Sequence, residues 1–191
     1  MRLAKHRKWM LKVIGDRKMN SIKIAKGLVK IARELVAAEI PNLKAMKVDE
    51  RKLLAFTSGD VNILEELAKD KSRLVQIAVA KNYRTPAHIL RELAKENDVY
   101  IHQAVAKNRN TPDDILKKMA HYFDVYTRIG VAKNPSTPVD VLKELARKDC
   151  YTVRVEVARN PSTPVDVLRK LADDEDYEVK RAALRNPNYR K

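Results

Sequence analysis

The chain has 191 residues, room for one ordinary domain and a small second one. Apolar residues make up 45%, which supplies a core, while aromatics at 5% argue against a broad platform for stacking on bases. A net charge of +15 points to a polyanionic partner, and the single cysteine, Cys150, excludes an intramolecular disulfide and a thiolate-held zinc or iron–sulfur centre.

The charge is uneven. Residues 1–47 hold 13 Lys/Arg and 3 Asp/Glu, against 27 and 22 over residues 48–191. The first quarter of the chain is therefore the part expected to meet nucleic acid, an anionic surface or an acidic protein. No run of about 18 apolar residues offers a membrane span. The basic start, Met1–Ile14, lacks the apolar centre and cleavage site of a secretion signal, so a cytoplasmic location is expected.

Residues 1–18 set Leu3, Trp9, Met10, Leu11, Val13 and Ile14 among basic residues and predict a short helix ending near Gly15-Asp16. A longer helix is predicted from Asn20-Ser21 to about Ile40, stopped by Pro41. Its Ile24, Leu28, Ile31 and Leu35 form an apolar face that needs a cover, either the neighbouring units or a second copy of the chain. Trp9, among Lys5, Arg7, Lys8 and Lys12, is expected to bury against the end of the repeat array, with an interfacial anchor and a base-stacking residue as the alternatives. These helices form a basic N-terminal part, residues 1–46.

From residue 47 onward the chain repeats. Val131–Leu145 reads V-A-K-N-P-S-T-P-V-D-V-L-K-E-L and returns at Val157–Leu171 as V-A-R-N-P-S-T-P-V-D-V-L-R-K-L. Val79, Val105, Val131 and Val157 are spaced by 26, as are the Thr-Pro pairs from Thr85-Pro86 to Thr163-Pro164 and the leucines Leu90, Leu116, Leu142 and Leu168. A fixed period of this size marks a solenoid whose units bury their apolar sides only against neighbours. Residues 47–72 are a worn first unit with Ser58-Gly59-Asp60 in place of Thr-Pro, four clear units span 73–176, and half a unit covers 177–191. In each unit Thr is the expected N-cap and Pro the first helical residue. Asp114, Asp140 and Asp166 then favour the dipole of the first turn. Val141, Leu142, Leu145 and Ala146 are the core side of a helix over Pro138–Lys148, preceded by a second short helix over Tyr126–Ala132.

The unit V-A-(K/R)-N-x-x-T-P-x-D-(V/I)-L-x-x-(L/M)-A resembles the leucine-rich repeat variant, a helical solenoid family, over about residues 73–191 with 47–72 as a weaker relative. The resemblance implies an all-α, right-handed superhelix of alternating α and short 3₁₀ helices that acts as a binding scaffold. The period of 26 is longer than the family's usual repeat, and the cysteine-rich module that accompanies some members is missing.

Stacking the units puts basic residues in columns: Lys81, Lys107, Lys133, Arg159, Arg185; then Gln76, His102, Arg128, Arg154, Lys180; then Arg91, Lys117, Lys143, Arg169. A ladder of one sign suits a phosphate backbone, and a solvated charged face is the alternative. Candidate nucleic-acid contacts are Lys5, Arg7, Lys8, Lys12, Arg17, Lys18, Lys23, Lys26 and Lys30 in the first part, with Lys107, Lys133, Arg159, Arg128, Arg154 and Lys180 in the solenoid. The column Asn82, Asn108, Asn134, Asn160, Asn186 is expected to cap helices in a left-handed conformation rather than form a hydrogen-bonded ladder. His6, His88, His102 and His121 share no metal spacing, Cys150 is a substituted turn position, and no carboxylate pair sits in an announced pocket. No cofactor, metal or catalytic residue is expected. Three partners fit: structured RNA or a ribosomal subunit first, an acidic protein bound by a homodimer paired through residues 21–40 second, and duplex DNA third. Attachment to a membrane is disfavoured by the short apolar side of residues 3–14.

Overall fold

The structure, a computed structural model, describes residues 43–190, without the side chain of Lys44. The basic N-terminal candidates from Lys5 to Lys30, Trp9 and the face Ile24, Leu28, Ile31, Leu35 lie outside the described residues. What is described is all-α. After a 3₁₀ turn at Leu43–Ala45 come α1 (Val48–Thr57), α2 (Val61–Ala68), α3 (Arg73–Lys81), α4 (Ala87–Leu93), α5 (Val99–Lys107) and α6 (Asp113–Met119). Then follow α7 (Val125–Lys133), α8 (Val139–Lys148), α9 (Tyr151–Arg159), α10 (Val165–Ala172), α11 (Tyr177–Arg185) and a 3₁₀ turn at Pro187–Arg190.

The odd-numbered helices form one layer and pack directly on each other from α1 to α11; the even-numbered helices form a second layer and scarcely touch one another. Between the layers runs one apolar core. Leu64, Leu90, Leu116, Leu142 and Leu168, one per unit from the second layer, are completely buried against Val79, Val105, Val131 and Val157 of the first. Each such side chain removed from water contributes about 1.5–3 kcal/mol. Ala146, expected in the core, is half-buried at its rim. Small residues let the first-layer helices approach closely. At Gly130 on α7 a methyl group would come within 2.9 Å of the Ala106 Cβ on α5.

Three expectations are corrected by the structure. The resemblance implies that α-helices alternate with short 3₁₀ helices, but both layers are α-helical, the second-layer helices being seven to ten residues long. The i→i−4 bond from Leu90 N to Pro86 O, repeated at Leu116, Leu142 and Leu168, closes a full α turn at each start. Pro stands at the N-cap itself, outside the helix, and Thr caps nothing. Each buried Thr hydroxyl instead donates back to the last turn of the preceding helix, Thr85 to Val79 O and Thr137 to Val131 O at 2.6 Å, Thr111 to Val105 O at 2.5 Å and Thr163 to Val157 O at 2.6 Å. Each of these carbonyls also accepts the amide of the asparagine that ends its helix, at 2.9–3.1 Å, so the hydroxyl fills the second acceptor site of a buried C-terminal carbonyl.

The asparagines stand at the C-caps of the first-layer helices as expected, and the third correction is to their conformation and to where their side chains go. Asn82, Asn108, Asn134, Asn160 and Asn186 have φ between −66 and −78°, and no described non-glycine residue is left-handed. Their side chains form the buried ladder that the sequence reading set aside. Each Nδ2 donates twice into the preceding unit: Asn108 to Ala80 O and Asn82 O, Asn134 to Ala106 O and Asn108 O, Asn160 to Ala132 O and Asn134 O, Asn186 to Ala158 O and Asn160 O, all at 2.6–3.0 Å. Each Oδ1 accepts from the amide two residues on, as at Ser136 and Ser162. In the worn unit Asn82 reaches Ala55 O and Ser58 O, while the Ser58 hydroxyl accepts from Asp60 N. Ser58 thus holds the place of an asparagine, and Asp60 caps α2.

Candidate nucleic-acid interface

The helices alternate in direction, so all turns leading from the first layer to the second line one edge, and all turns leading back line the other. The two edges differ in charge. Stretches 81–86, 107–112, 133–138, 159–164 and 185–190 carry eight Lys/Arg and no Asp/Glu, whereas 69–72, 95–98, 121–124, 147–150 and 173–176 carry five Lys/Arg and nine Asp/Glu. The basic edge is made of Lys81, Arg84, Lys107, Arg109, Lys133, Arg159, Arg185 and Arg190, every one exposed. Five of them end first-layer helices, where a cation also meets the negative end of the helix dipole.

The edge is held in register. Beneath it runs the asparagine ladder, and outside that a second ladder in which Asn110, Ser136, Ser162 and Asn188 donate to Tyr83 O, Arg109 O, Pro135 O and Pro161 O at 2.6–2.7 Å. Cations mounted on such turns are carried at the spacing of the helices, about 8–10 Å. Their charge is little offset. Glu156 takes Lys133 at 3.5 Å and Arg159 at 3.1 Å; the other six have no ion pair among the described residues. Arg84 lies over the exposed Tyr83 ring, 5.0 Å from its centroid.

Elsewhere the predicted cations are engaged. Arg91, Lys117 and Lys143 each reach the first-turn aspartate of the next unit, Asp114, Asp140 and Asp166. Their hydrogen bonds hold those carboxyls below the usual range. Arg128 grips Asp149 with Nε at 2.7 Å and Nη2 at 3.0 Å and gives Nη1 to Tyr122 O and Phe123 O. Arg154 repeats this on Asp174 at 2.7 and 2.9 Å, with Nη1 on Asp149 O. In the worn unit Arg51 holds Asp70 at 2.5 and 3.1 Å. Burial alone would raise the Asp149, Asp174 and Asp70 carboxyls, but the arginine forks and backbone amides outweigh it and leave all three lowered. Arg128 and Arg154 are therefore ties between units, half-buried and with their guanidinium groups committed to carboxylates and carbonyls of the chain. Lys180, half-buried, sits in the field of Asp174. Of the solenoid candidates, Lys107, Lys133 and Arg159 are on the basic edge. Arg84, Arg109 and Arg190 were missed because they occupy no repeating column; counting charge by turn finds them.

Among the described residues no group of three or more His, Cys, Asp or Glu is placed to hold a metal ion, and no helix is long and apolar enough to cross a membrane. Residues 151–176 match the family model described as leucine rich repeat variant. A solved structure described as a leucine-rich repeat variant with a novel repetitive protein structural motif is similar over 84% of this chain and 72% of its own, at 23% identity and a TM-score of 0.50. No curated protein matches. The likeness is one of fold: a stack of helical units with no strand among the described residues.

Proposed function

We propose that this solenoid, with its leucine-rich-repeat-variant unit at 151–176, is a non-catalytic protein that binds structured RNA, including RNA on a ribosomal subunit. The observation that carries the reading is the basic edge: eight exposed cations, no acid in the turns that bear them, and two hydrogen-bonded ladders that fix their spacing. The surplus of Lys/Arg in residues 1–47 adds to it. A rigid row of cations neutralises phosphates without reading bases, which suits an RNA helix whose major groove is too narrow for side chains. An acidic protein would meet the same row, and so would duplex DNA. RNA is preferred because shape and backbone contacts are what such a row offers.

The test is a shift assay with structured RNA across 50–200 mM salt, comparing the full chain with Lys107→Ser/Arg109→Ser. Each lost phosphate contact lowers the slope of log K against log salt by about 0.7–0.9, so the pair should lower it by about 1.5. An unchanged slope removes the basic edge from the interface. Salt-insensitive binding to one protein, with none to RNA, would support the scaffold reading instead.

A further inference from the structure

The other edge carries a different chemistry. Six of the chain's nine Tyr and Phe residues are there: Tyr100, Tyr122, Phe123, Tyr126, Tyr151 and Tyr177. Phe123 is fully exposed and Tyr126 is 62% exposed. Tyr122 is half-buried against the core and meets the His102 ring edge-on, while Tyr100, Phe123, Tyr126, Tyr151 and Tyr177 are exposed and offer a contact surface. Carboxylates of Asp98, Asp124, Asp173, Glu175 and Asp176 are interleaved with them.

The chain itself shows what such a surface takes. The Arg73 guanidinium lies 5.1 Å above the centre of the Tyr100 ring, with Nη1 3.5 Å from the Asp98 carboxylate. Asp124 and Tyr126 are the same two positions one unit later, where the Asp124 Oδ2 accepts from Gln103 Nε2 at 3.1 Å and from Thr127, so an incoming guanidinium would share that carboxylate with Gln103. There Val99 stands where Arg73 stood, and no guanidinium of the described residues lies over Tyr126. Further along, Arg181 lies 5.8 Å from the Tyr177 ring.

We propose that Phe123, Asp124 and Tyr126, continued by Tyr151 on the next first-layer helix, dock an arginine-bearing segment of a partner protein. A planar, weakly hydrated guanidinium stacks on a ring and reaches a carboxylate at the same time; an ammonium does this less well. The carboxylates beside the rings weigh against nucleic acid. The two edges together make the molecule a bridge, with polyanion on one side and a basic protein segment on the other.

The probes are labelled octa-arginine and octa-lysine, titrated into the full chain and read by fluorescence anisotropy. The net charge of +15 repels both peptides, so binding must come from a local site. The expected result is tighter binding of octa-arginine than of octa-lysine. Phe123→Ser/Tyr126→Ser, both at exposed positions, should weaken octa-arginine about tenfold with the circular dichroism unchanged, and Arg109→Ser should leave it unaltered. Equal binding of the two peptides, or no effect of the double variant, overturns the proposal. So does a loss of RNA binding in that variant, which would make the rings a stacking platform. Replacing Lys5, Arg7, Lys8 and Lys12 with Ser relieves repulsion for both peptides alike, so a gain for octa-arginine with none for octa-lysine would assign the row to the chain's own basic stretch and likewise overturn it. Because the RNA reading stands on the opposite edge, either can fail without the other.

Discussion

Removing one rung of the asparagine ladder tests the account of what holds the units in register. Asn134→Ala deletes the two bonds to Ala106 O and Asn108 O and the one accepted from Ser136 N. The consequences differ at each end. Asn108 O keeps the Thr111 amide, and Ser136 is exposed enough for water to take over. Ala106 O loses its donor in a buried position where no backbone amide takes its place. An orphaned buried acceptor costs about 1–3 kcal/mol, and each of the other bonds is worth about 0.5–1.5. The expected loss is about 3 kcal/mol, read as a lower urea midpoint by circular dichroism. Ser136→Ala, which removes one bond at the exposed rim, should cost under about 1 kcal/mol. Asn186→Ala removes the same two kinds of bond but joins only α11 and the last turn to the array, so it should fray that end while the rest melts unchanged. If Asn134→Ala costs no more than Ser136→Ala, the ladder is incidental and the leucines alone set the register.

Gly130→Ala should destabilise the protein by about 1 kcal/mol despite the better helix propensity of alanine, because the new methyl meets the immovable Ala106 Cβ; a higher midpoint would show that the layer has slack there. Thr137→Val keeps the shape but leaves Val131 O without its hydroxyl donor, with an expected loss of about 1–2 kcal/mol in the same urea titration. The carboxyls of Asp70, Asp149 and Asp174 are lowered in the folded chain relative to the unfolded one. Their stabilising contribution is therefore complete above about pH 4, the unfolded value, and is lost as pH falls through the folded values. Melting temperature should drop steeply below about pH 4, and Asp149→Asn should flatten that drop while lowering stability at neutral pH by about 3 kcal/mol through the stranded Arg128. A pH profile that Asp149→Asn leaves unaltered would count against the tie.

The leucine and valine spacing made the helical stack legible, because a period of 26 has to place equivalent side chains above one another. What the sequence hid is whatever depends on two units at once. A single unit shows an asparagine after a helix, for which left-handed capping is the ordinary local reading; only the stack reveals carbonyls 26 and 28 residues back within reach. The Thr-Pro step misled in the same way, since the hydroxyl serves the helix behind it and not the one ahead. Basic columns looked open until the acids were stacked too: Arg91 with Asp114, Lys117 with Asp140, Lys143 with Asp166, always 23 positions apart. Five of the eight cations on the basic edge, Lys81 to Arg185, were legible as one column; Arg84, Arg109 and Arg190 stand in turns outside any column, which is why those three escaped.

The ladder also sets how this molecule can change its length. Asn134 finds in Ala106 and Asn108 what Asn108 finds in Ala80 and Asn82, so excising 26 residues, Val105–Gly130, would let each broken bond re-form with an equivalent neighbour. A duplicated unit would slot in by the same rule. Shortening or growth in whole turns of the stack is therefore nearly free of conflict, and the step of 24 residues from Ser58 to Asn82, against 26 between later rungs, shows that a length change placed in the turns between two units is absorbed there and leaves the rungs beyond it in register.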